Sequence, residues 1–392
     1  MSERKLFAHT LIVKLKGRGN MNIIKQLCWT ILIFMIFLSQ TLHAQSRDGE
    51  IFEQGFNMEN KAQSAPEELD SLSFYPGQWD VQYKSFDKDG NTLTDSGYAL
   101  VYYMNRGHSF IEKFSCPNFD GKGNELNTIT FLTFNKANNQ WNLGIANSFN
   151  ESISIYNGDF LVKNLIMKNT LSLGGGLRVT YFRAGYKPIS DEQFEFMSQV
   201  SHDEGKSWRT TLIKSYTKRK ESEDFLFANS SGYGSFAPDL PQEARQFDFL
   251  IGEWNAYQDI KLPNGQNPKF PSTSTAVFCL NGHAIMETNW YNIDPALPDA
   301  ATTIVRIYNR AMHRWECMYL TNRANSILYF GGRKENDKIF LYPFETNTGN
   351  PFINHYIFHN IKKDSYDWHA DRSTDHGKTF TTTWKINTTR MK

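Results

Sequence analysis

The chain has 392 residues and a nearly balanced charge, with 42 Lys and Arg against 41 Asp and Glu, for a formal net charge of +1. A balanced charge without a polybasic patch argues against nucleic acid or an anionic lipid surface as a partner. The length is sufficient for two ordinary domains.

The first segment with a recognisable pattern is typical of a secretory signal peptide. Lys25 precedes an apolar run over 27–38, and Ala44 is a small residue at the expected cleavage point. Met21 is the natural start of this pattern, and the run is shorter than the ~20 residues that a membrane-spanning helix needs. We therefore predict a signal peptide over Met21–Ala44, a periplasmic or extracellular protein, and no stable membrane span once the signal is removed. An uncleaved membrane anchor is the alternative.

Removal of residues 1–44 takes away six of the 42 basic residues and one of the 41 acidic residues, which leaves a net charge of −4. Three cysteines then remain, Cys116, Cys279 and Cys317. An odd count does not make a disulfide framework. Cys279 and Cys317 lie in the same half of the chain and are the pair to test for a disulfide, with buried free thiols as the alternative.

Two stretches of the chain, offset by 172 to 175 positions, are versions of one unit of about 150 residues. Both contain the same short markers in the same order. The matched pairs are Gly77-Gln-Trp79 with Gly252-Glu-Trp254, Gly107-His108 with Gly282-His283, Glu112 with Glu287, and 201–208 with 373–380. The predicted organisation is a leader over 1–44, a polar and poorly ordered segment over 45–66, a first repeat over 67–219, a linker over 220–241 and a second repeat over 242–392.

Both repeats are predicted to be all-β. Runs such as 128–134 and 302–308 are rich in β-branched and aromatic residues and are bounded by Gly, Asn and Asp. Asp89-Gly90 and Asn264-Gly265 are hairpin signals at matching places. Many strands in about 150 residues predict a closed antiparallel barrel or a sandwich, since closure removes exposed strand edges.

The opening of the second repeat, Phe247–Trp254, contains Phe-Leu-Ile-Gly-Glu-Trp and resembles the start of a lipocalin-like (calycin-type) family of mostly uncharacterised bacterial proteins. The resemblance continues through 303–309 and ends at Arg390. It implies two tandem lipocalin-like barrels with a ligand cavity. It also implies that the tryptophan after the glycine packs against a basic residue of the last strand, which is Arg390 in the second repeat and Lys218 in the first.

A second motif, Ser-x-Asp-x-Gly, occurs once in each repeat and resembles the Asp-box of propeller proteins. It places Asp203 and Gly205 in the first repeat and Asp375 and Gly377 in the second. A propeller needs such a box in most of its blades, which recur every ~40–50 residues. Two boxes alone favour turns in which the Asp side chain binds backbone amides and the Gly takes a positive φ.

The repeated Gly-His-x-x-x-Glu motif carries the functional hypothesis. On a strand, positions i and i+4 share a face, so His283 would lie with Glu287, and His108 with Glu112. If that face lines the barrel, the pair orients a ligand or moves a proton. The alternative is a structural hydrogen bond within the motif or an exposed pair at the rim.

The predicted ligand site lies in the second repeat, around His283, Glu287 and Arg306 near Trp254. In the first repeat Leu132 stands where Arg306 would, which weakens the prediction of a pocket there. An inward-facing Arg306 needs an anionic partner, and Glu287 is the natural one. The alternative is that the face of the strand that carries Arg306 points outward, in which case Arg306 faces solvent.

Two functions follow from these residues. The first is a non-enzymatic module that binds a small apolar or amphipathic ligand. The second is a hydrolase on lipid or glycan that uses His283 and Glu287 as acid and base. No metal or cofactor is predicted, because the two histidines of His355-Tyr-Ile-Phe-His359 lie ~13 Å apart on a strand and no residue is singled out for haem.

Overall fold

The computed structural model describes residues 60–161, 164–173, 178–219, 234–291, 300–344 and 352–391. The predicted leader and most of the segment over 45–66 lie outside these residues. The described part that holds both repeats belongs to one compact unit. It contains three short 3₁₀ segments, Glu67–Leu72, Gln242–Arg245 and Asp248–Leu250.

Twenty β-strands, ten in each repeat, make up the rest of the regular structure in the described ranges. In the first repeat they are β1 (Gly77–Phe86), β2 (Thr92–Met104), β3 (Ser109–Cys116), β4 (Leu126–Asn135), β5 (Gln140–Asn147), β6 (Ser152–Leu161), β7 (Asn164–Leu173), β8 (Arg178–Ser190), β9 (Gln193–Ser201) and β10 (Arg209–Lys218). In the second they are β11 (Gly252–Ile260), β12 (Lys269–Cys279), β13 (Ala284–Tyr291), β14 (Ala300–Asn309), β15 (Arg314–Thr321), β16 (Ser326–Glu335), β17 (Lys338–Pro343), β18 (Ile353–His359), β19 (Ser365–Ser373) and β20 (Thr381–Arg390).

Each repeat is a closed antiparallel barrel in which consecutive strands pair and the last strand pairs with the first. Trp79 lies opposite Lys218 at the seam of barrel one, and Trp254 lies opposite Arg390 at the seam of barrel two. The prediction of two all-β barrels is confirmed, and the sandwich and propeller alternatives are wrong because each set of strands forms one ring. Barrel diameter grows with strand number, so ten strands enclose a wider lumen than the eight of a lipocalin.

Local sequence explains how the ring is built. Gly90 and Gly265 have a φ of +84° in the first hairpin of each barrel, a backbone conformation that favours glycine. Along β1 the buried residues Trp79, Val81 and Tyr83 alternate with exposed ones, as a strand with one face in a core requires.

One end of each barrel, here called the closed end, is filled by the chain that leads into its first strand. The Trp254 indole is fully buried and donates its Nε1–H to the backbone oxygen of Leu250 at 2.7 Å. The Arg390 guanidinium lies over this ring at 4.2 Å. In barrel one, Trp79 donates to the oxygen of Tyr75, and the Lys218 ammonium lies 5.7 Å from the ring centre.

The lead-in segments cross the turn that joins the second and third strands of each barrel, and they explain the Gly-His pairs. The Ala237 amide donates to the Gly282 oxygen at 3.3 Å, and Ala62 donates to Gly107 in the same way. A Cβ on Gly282 would lie 2.3 Å from the backbone oxygen of Ser235. The glycine is therefore required by this close contact. The end of the predicted linker, 234–241, thus lies against barrel two.

The two barrels pack side by side, with β4, β5 and β6 against β14, β15 and β16. Thr303 Oγ1 donates to Asn105 Oδ1 at 2.9 Å, and Glu316 accepts the amide of Ile153 at 3.0 Å. Glu151, in the turn at the end of barrel one away from Trp79, binds Arg310 in the turn at the closed end of barrel two. The barrels are therefore antiparallel to each other.

The Ser-x-Asp-x-Gly turns join the last two strands of each barrel. Asp375 Oδ1 accepts the Thr379 amide at 2.9 Å, and the Gly377 amide donates to Ser373 Oγ at 2.7 Å. Gly377 has a φ of +85° and Gly205 one of +81°. Asp203 binds Ser207 as Asp375 binds Thr379.

Cys116, Cys279 and Cys317 are buried free thiols. Cys279 and Cys317 therefore do not form a disulfide, and the alternative of buried free thiols is confirmed. Cys279 lies on β12 and Cys317 on β15, two strands that do not pair. None of the helices in the described ranges is long and apolar enough to cross a membrane.

Candidate functional site

The lumen of barrel two contains a cavity of about 190 Å³ that is partly open to solvent. Its wall is made of inward-facing side chains from β11 to β20, in a mixture of aromatic, aliphatic and polar groups. The lining residues are Ala256, Gln258, Ser274, Glu287, Asn289, Tyr291, Thr302, Ile304, Arg306, Tyr319, Leu328, Phe330, Leu341, Tyr356, Phe358, Tyr366, Trp368, Trp384, Ile386 and Thr388.

Glu287 and Arg306 form an ion pair in the wall of this cavity. Glu287 lies on β13 and Arg306 on β14, two residues out of direct register, because Arg306 faces Ile285 and Glu287 faces Ile304. Arg306 Nη2 lies 2.5 Å from Glu287 Oε2. Arg306 is 2% exposed to solvent and Glu287 is 5% exposed. Arg306 therefore faces the lumen, and the alternative that it faces solvent is wrong.

Two polar atoms of this pair have no hydrogen-bond partner. They are Arg306 Nε and Nη1, and both are buried. Glu287 Oε2 has Arg306 Nη2 as its close partner. Buried polar groups almost always have partners, and an unpaired one requires an explanation, of which a bound molecule or water is one. Arg306 and Glu287 both line the cavity.

Aromatic rings cover the other side of the cavity. Tyr356 and Trp368 are stacked with ring centres 5.9 Å apart, and Trp384 meets Trp368 edge-on at 5.5 Å. Trp384 donates its Nε1–H to Gln258 Oε1 at 2.9 Å, so its polar edge is satisfied. Burial, and then the charge of Glu287, raise the pKa of Tyr366, which keeps that phenol neutral. The cavity is thus apolar on one side and carries one neutral ion pair on the other.

Barrel one contains the equivalent carboxylate, Glu112, but surrounds it with its own side chains. Tyr75 and Tyr216 donate their hydroxyls to it at 2.7 Å and 3.1 Å. Lys214 Nζ lies 3.5 Å from Glu112 Oε1. Burial raises the pKa of both tyrosines well above 10.0, so they stay protonated donors. Burial lowers the pKa of Lys214, and Glu112 opposes that effect.

The two barrels place the cation on different strands. Leu132 on β4 corresponds to Arg306 on β14, because Leu132 faces Phe110 as Arg306 faces Ile285. Lys214 on β10 corresponds to Ile386 on β20 by the same comparison of register. A leucine at position 132 therefore does not leave Glu112 unpaired.

The structure does not bring the two Gly-His histidines together with the glutamates. Each histidine precedes the first residue of its strand and lies in the turn at the closed end. His283 lies 3.6 Å from Glu151 of barrel one and 3.8 Å from Asp239 in its own lead-in segment. His108 Nε2 lies 3.0 Å from Ser64 Oγ in the equivalent segment. These histidines join the lead-in segments to the turns and face the neighbouring barrel.

Of the other residues that the sequence analysis singled out, Trp254 is a closed-end residue and is absent from the cavity lining. Its ring packs on Tyr366 with centres 5.0 Å apart. Gly77 and Gly252 lie where their first strands begin beside Lys218 and Arg390. Burial lowers the pKa of His108, and a contact with Asn325 of barrel two opposes that effect.

Sequence reasoning missed most of the cavity wall. Tyr366, Trp368, Trp384 and Ile386 were not singled out, although alternate positions on β19 and β20 are aromatic or apolar. The period of two along these strands was the available signal. Among the described residues, no three His, Cys, Asp or Glu side chains gather as they would around a metal ion.

Fold and site together define a tandem protein of two closed ten-strand barrels with a lumenal cavity in the second. No protein-family model matches the chain, and no curated protein matches it.

Solved structures give distant similarities. A protein of unknown function from the DUF3598 family of Nostoc punctiforme is 12% identical, with a TM-score of 0.24, over 83% of this chain and 100% of that one. The S-type phycobiliprotein lyase CPES from Guillardia theta is 9% identical, with a TM-score of 0.27, over 40% of this chain and 94% of that one. Such low identities and TM-scores carry no information about ligand or activity.

Proposed function

We propose that this protein is an exported binding module that holds a small amphipathic ligand in the lumen of barrel two. The observation that carries the proposal is the pair of buried guanidinium nitrogens without hydrogen-bond partners, Arg306 Nε and Nη1, in the wall of this cavity. A ligand that supplies those hydrogen bonds removes a cost of ~1–3 kcal/mol for each unsatisfied group. The remainder of the wall is largely aromatic and aliphatic, which suits an apolar body.

The size of the cavity limits the ligand. An engineered apolar cavity of ~150 Å³ binds benzene, and the lumen of barrel two measures about 190 Å³. It is below the ~300–1,000 Å³ of pockets for drug-sized ligands. The ligand, or the part of it that enters the lumen, is therefore about as large as one aromatic ring with a short polar substituent.

A comparison of equivalent positions in the two barrels supports ligand binding by barrel two and not by barrel one. Tyr216 and Lys214 of barrel one occupy the positions that Thr388 and Ile386 occupy in barrel two. Thr388 and Ile386 are shorter or uncharged, and both line the cavity. Barrel one satisfies its carboxylate with its own side chains, so we assign ligand binding to barrel two.

The alternative hydrolase has no support of this kind. His283 contacts Glu151 and Asp239, whereas Glu287 contacts Arg306. An acid and a base must each reach the reacting group to act together. With His283 in a turn at the closed end, the pair has no common position for a substrate.

Binding is tested by titrating the full mature chain with small aromatic compounds and following tryptophan fluorescence, because Trp368 and Trp384 line the cavity. Thr388→Tyr places in barrel two the residue that barrel one has as Tyr216, and we expect it to fill the lumen and abolish binding. Thr388→Ser is the matched control and should still bind. Equal binding by wild type and Thr388→Tyr would rule out the lumen as the site.

Export is a separate part of the proposal and rests on the sequence of the leader. N-terminal sequencing of the protein from its host should give Gln45 as the first residue. A chain that retains 27–38 in a membrane fraction would refute it.

A further inference from the structure

The polar groups of the lumen in barrel two also indicate what kind of head group they would bind. Arg306 carries a positive charge and Glu287 a negative one, and they lie in contact. The pair is therefore neutral as a unit. Both residues are more than nine-tenths buried, so any extra charge placed beside them would be an unpaired buried charge, which is very costly.

The polar atoms of the pair include both donors and an acceptor. Arg306 Nε and Nη1 are donors without an acceptor. Glu287 Oε2 has Arg306 Nη2 as its close partner and keeps a second lone pair with which it can accept a hydrogen bond. An anion supplies acceptors only and would lie beside the Glu287 carboxylate. A head group with both a donor and an acceptor satisfies both sides of the pair.

Barrel one provides an internal precedent for the donor. There the Glu112 Oε2 atom accepts the Tyr75 hydroxyl at 2.7 Å. Leu250 replaces that tyrosine in the lead-in segment of barrel two, and Thr388 replaces Tyr216. Barrel two thus lacks the two phenols that donate to the carboxylate in barrel one, and a bound molecule has to bring the equivalent donor.

We infer that the ligand of barrel two carries an uncharged head group with one hydrogen-bond donor and one acceptor, of the primary-amide or lactam type, on an aromatic or apolar body. The acceptor binds the Arg306 guanidinium and the donor binds the Glu287 carboxylate. The aromatic wall of Tyr356 and Trp368 takes the body. This inference rests on the proposed function, because it names the chemistry recognised at the same site.

The test uses four compounds with the same ring: benzamide, benzoate, methyl benzoate and toluene. Benzamide has a neutral donor and acceptor, benzoate is an anion, methyl benzoate has acceptors only, and toluene has no head group. On the wild-type chain at pH 7 we expect benzamide to bind at least about tenfold more tightly than each of the others, which corresponds to ~1.4 kcal/mol.

The Glu287→Gln variant should reverse the order of the affinities for benzamide and benzoate. Glu287→Gln leaves the Arg306 charge without its partner, so an anion then neutralises it, and we expect benzoate to bind more tightly than benzamide. Glu112→Gln makes the same change in barrel one and is the matched control, for which the wild-type order should persist. The wild-type order alone tests the inference if Glu287→Gln does not fold.

The outcomes separate the two proposals. Benzoate as the tightest ligand of the wild type would overturn the inference while leaving the proposed function intact, since binding in the lumen would still be seen. Equal binding of benzamide and toluene would overturn it as well, because the head group would then contribute nothing. No binding of any of the four compounds would refute ligand binding of this size in the lumen, and the inference with it.

Discussion

Lys214 of barrel one is the best position at which to measure what a buried charge contributes to this fold. Lys214→Ile gives barrel one the residue that barrel two has as Ile386, and it leaves Glu112 buried without a cation. Breaking one side of a buried pair costs ~3–5 kcal/mol. The tyrosine donors at 2.7 Å and 3.1 Å remain, so we expect the low end, about 3 kcal/mol.

The assay is urea unfolding followed by tryptophan fluorescence. With an m-value of ~3 kcal/mol/M, the loss corresponds to a midpoint about 1 M lower. Lys187→Ile is the control, because Lys187 is exposed and its ion pair with Glu195 is worth no more than ~1 kcal/mol. Leu132→Arg added to Lys214→Ile restores a cation in the arrangement of barrel two and should recover part of the loss. If Lys214→Ile is as stable as Lys187→Ile, the charge of Lys214 does not stabilise Glu112 and the reasoning is refuted.

Three further predictions concern stability. Trp254→Ala removes a fully buried indole and should lower the free energy of unfolding by ~3–5 kcal/mol; a loss below 1 kcal/mol in urea unfolding would show that the closed end does not depend on it. Burial raises the pKa of Tyr75 and Tyr216 above 10.0, so their contribution to stability is complete below pH 10 and is lost as the pH rises through the folded-state pKa values. Absorbance at alkaline pH should show that these phenols ionise only on unfolding, and ionisation in the native state would contradict this. Hydrogen bonds from Thr379 and Ser373 lower the pKa of Asp375 from 3.8 to about 2, so its contribution is present above pH 3.8 and is lost as the pH falls towards 2. Asp375→Asn should lower the melting temperature at pH 7 and weaken its dependence on pH below 4, and an unchanged acid profile would exclude this role.

The fold could be predicted because its signals are local and repeated. The strand predicted over 128–134 lies within β4, and the hairpin glycines Gly90 and Gly265 have the positive φ that their turns require. The alternation of buried and exposed residues then determines which face of each strand forms the core. The number of strands in each ring, and hence the width of the lumen, depends on pairings that no local pattern states.

The site was harder to predict, because its geometry depends on single positions and on distant partners. His283 comes one residue before the first residue of β13, so counting i and i+4 from it assigned it to a strand face that it does not share. Leu132 weakened the prediction of a pocket in barrel one, but nothing near it in the sequence indicates that Lys214, 82 positions further along the chain, supplies the cation for Glu112 from another strand. Such compensation is visible only once the ring is closed.

The seam at which each barrel closes also has a consequence for the order of folding. Nine of the ten pairings in barrel two join strands that follow one another in the chain, whereas β11 and β20 bring together Trp254 and Arg390, 136 positions apart. Ordering so long a loop is slow, because its entropy is lost before the contacts that compensate for it have formed. We therefore expect the pairing of β11 with β20 to form last in folding. Arg390 stabilises this pairing through hydrogen bonds to the backbone oxygens of Ile251 and Phe249. Arg390→Ala should then speed unfolding and leave the refolding rate nearly unchanged, and slower refolding in stopped-flow experiments would show that the seam forms early.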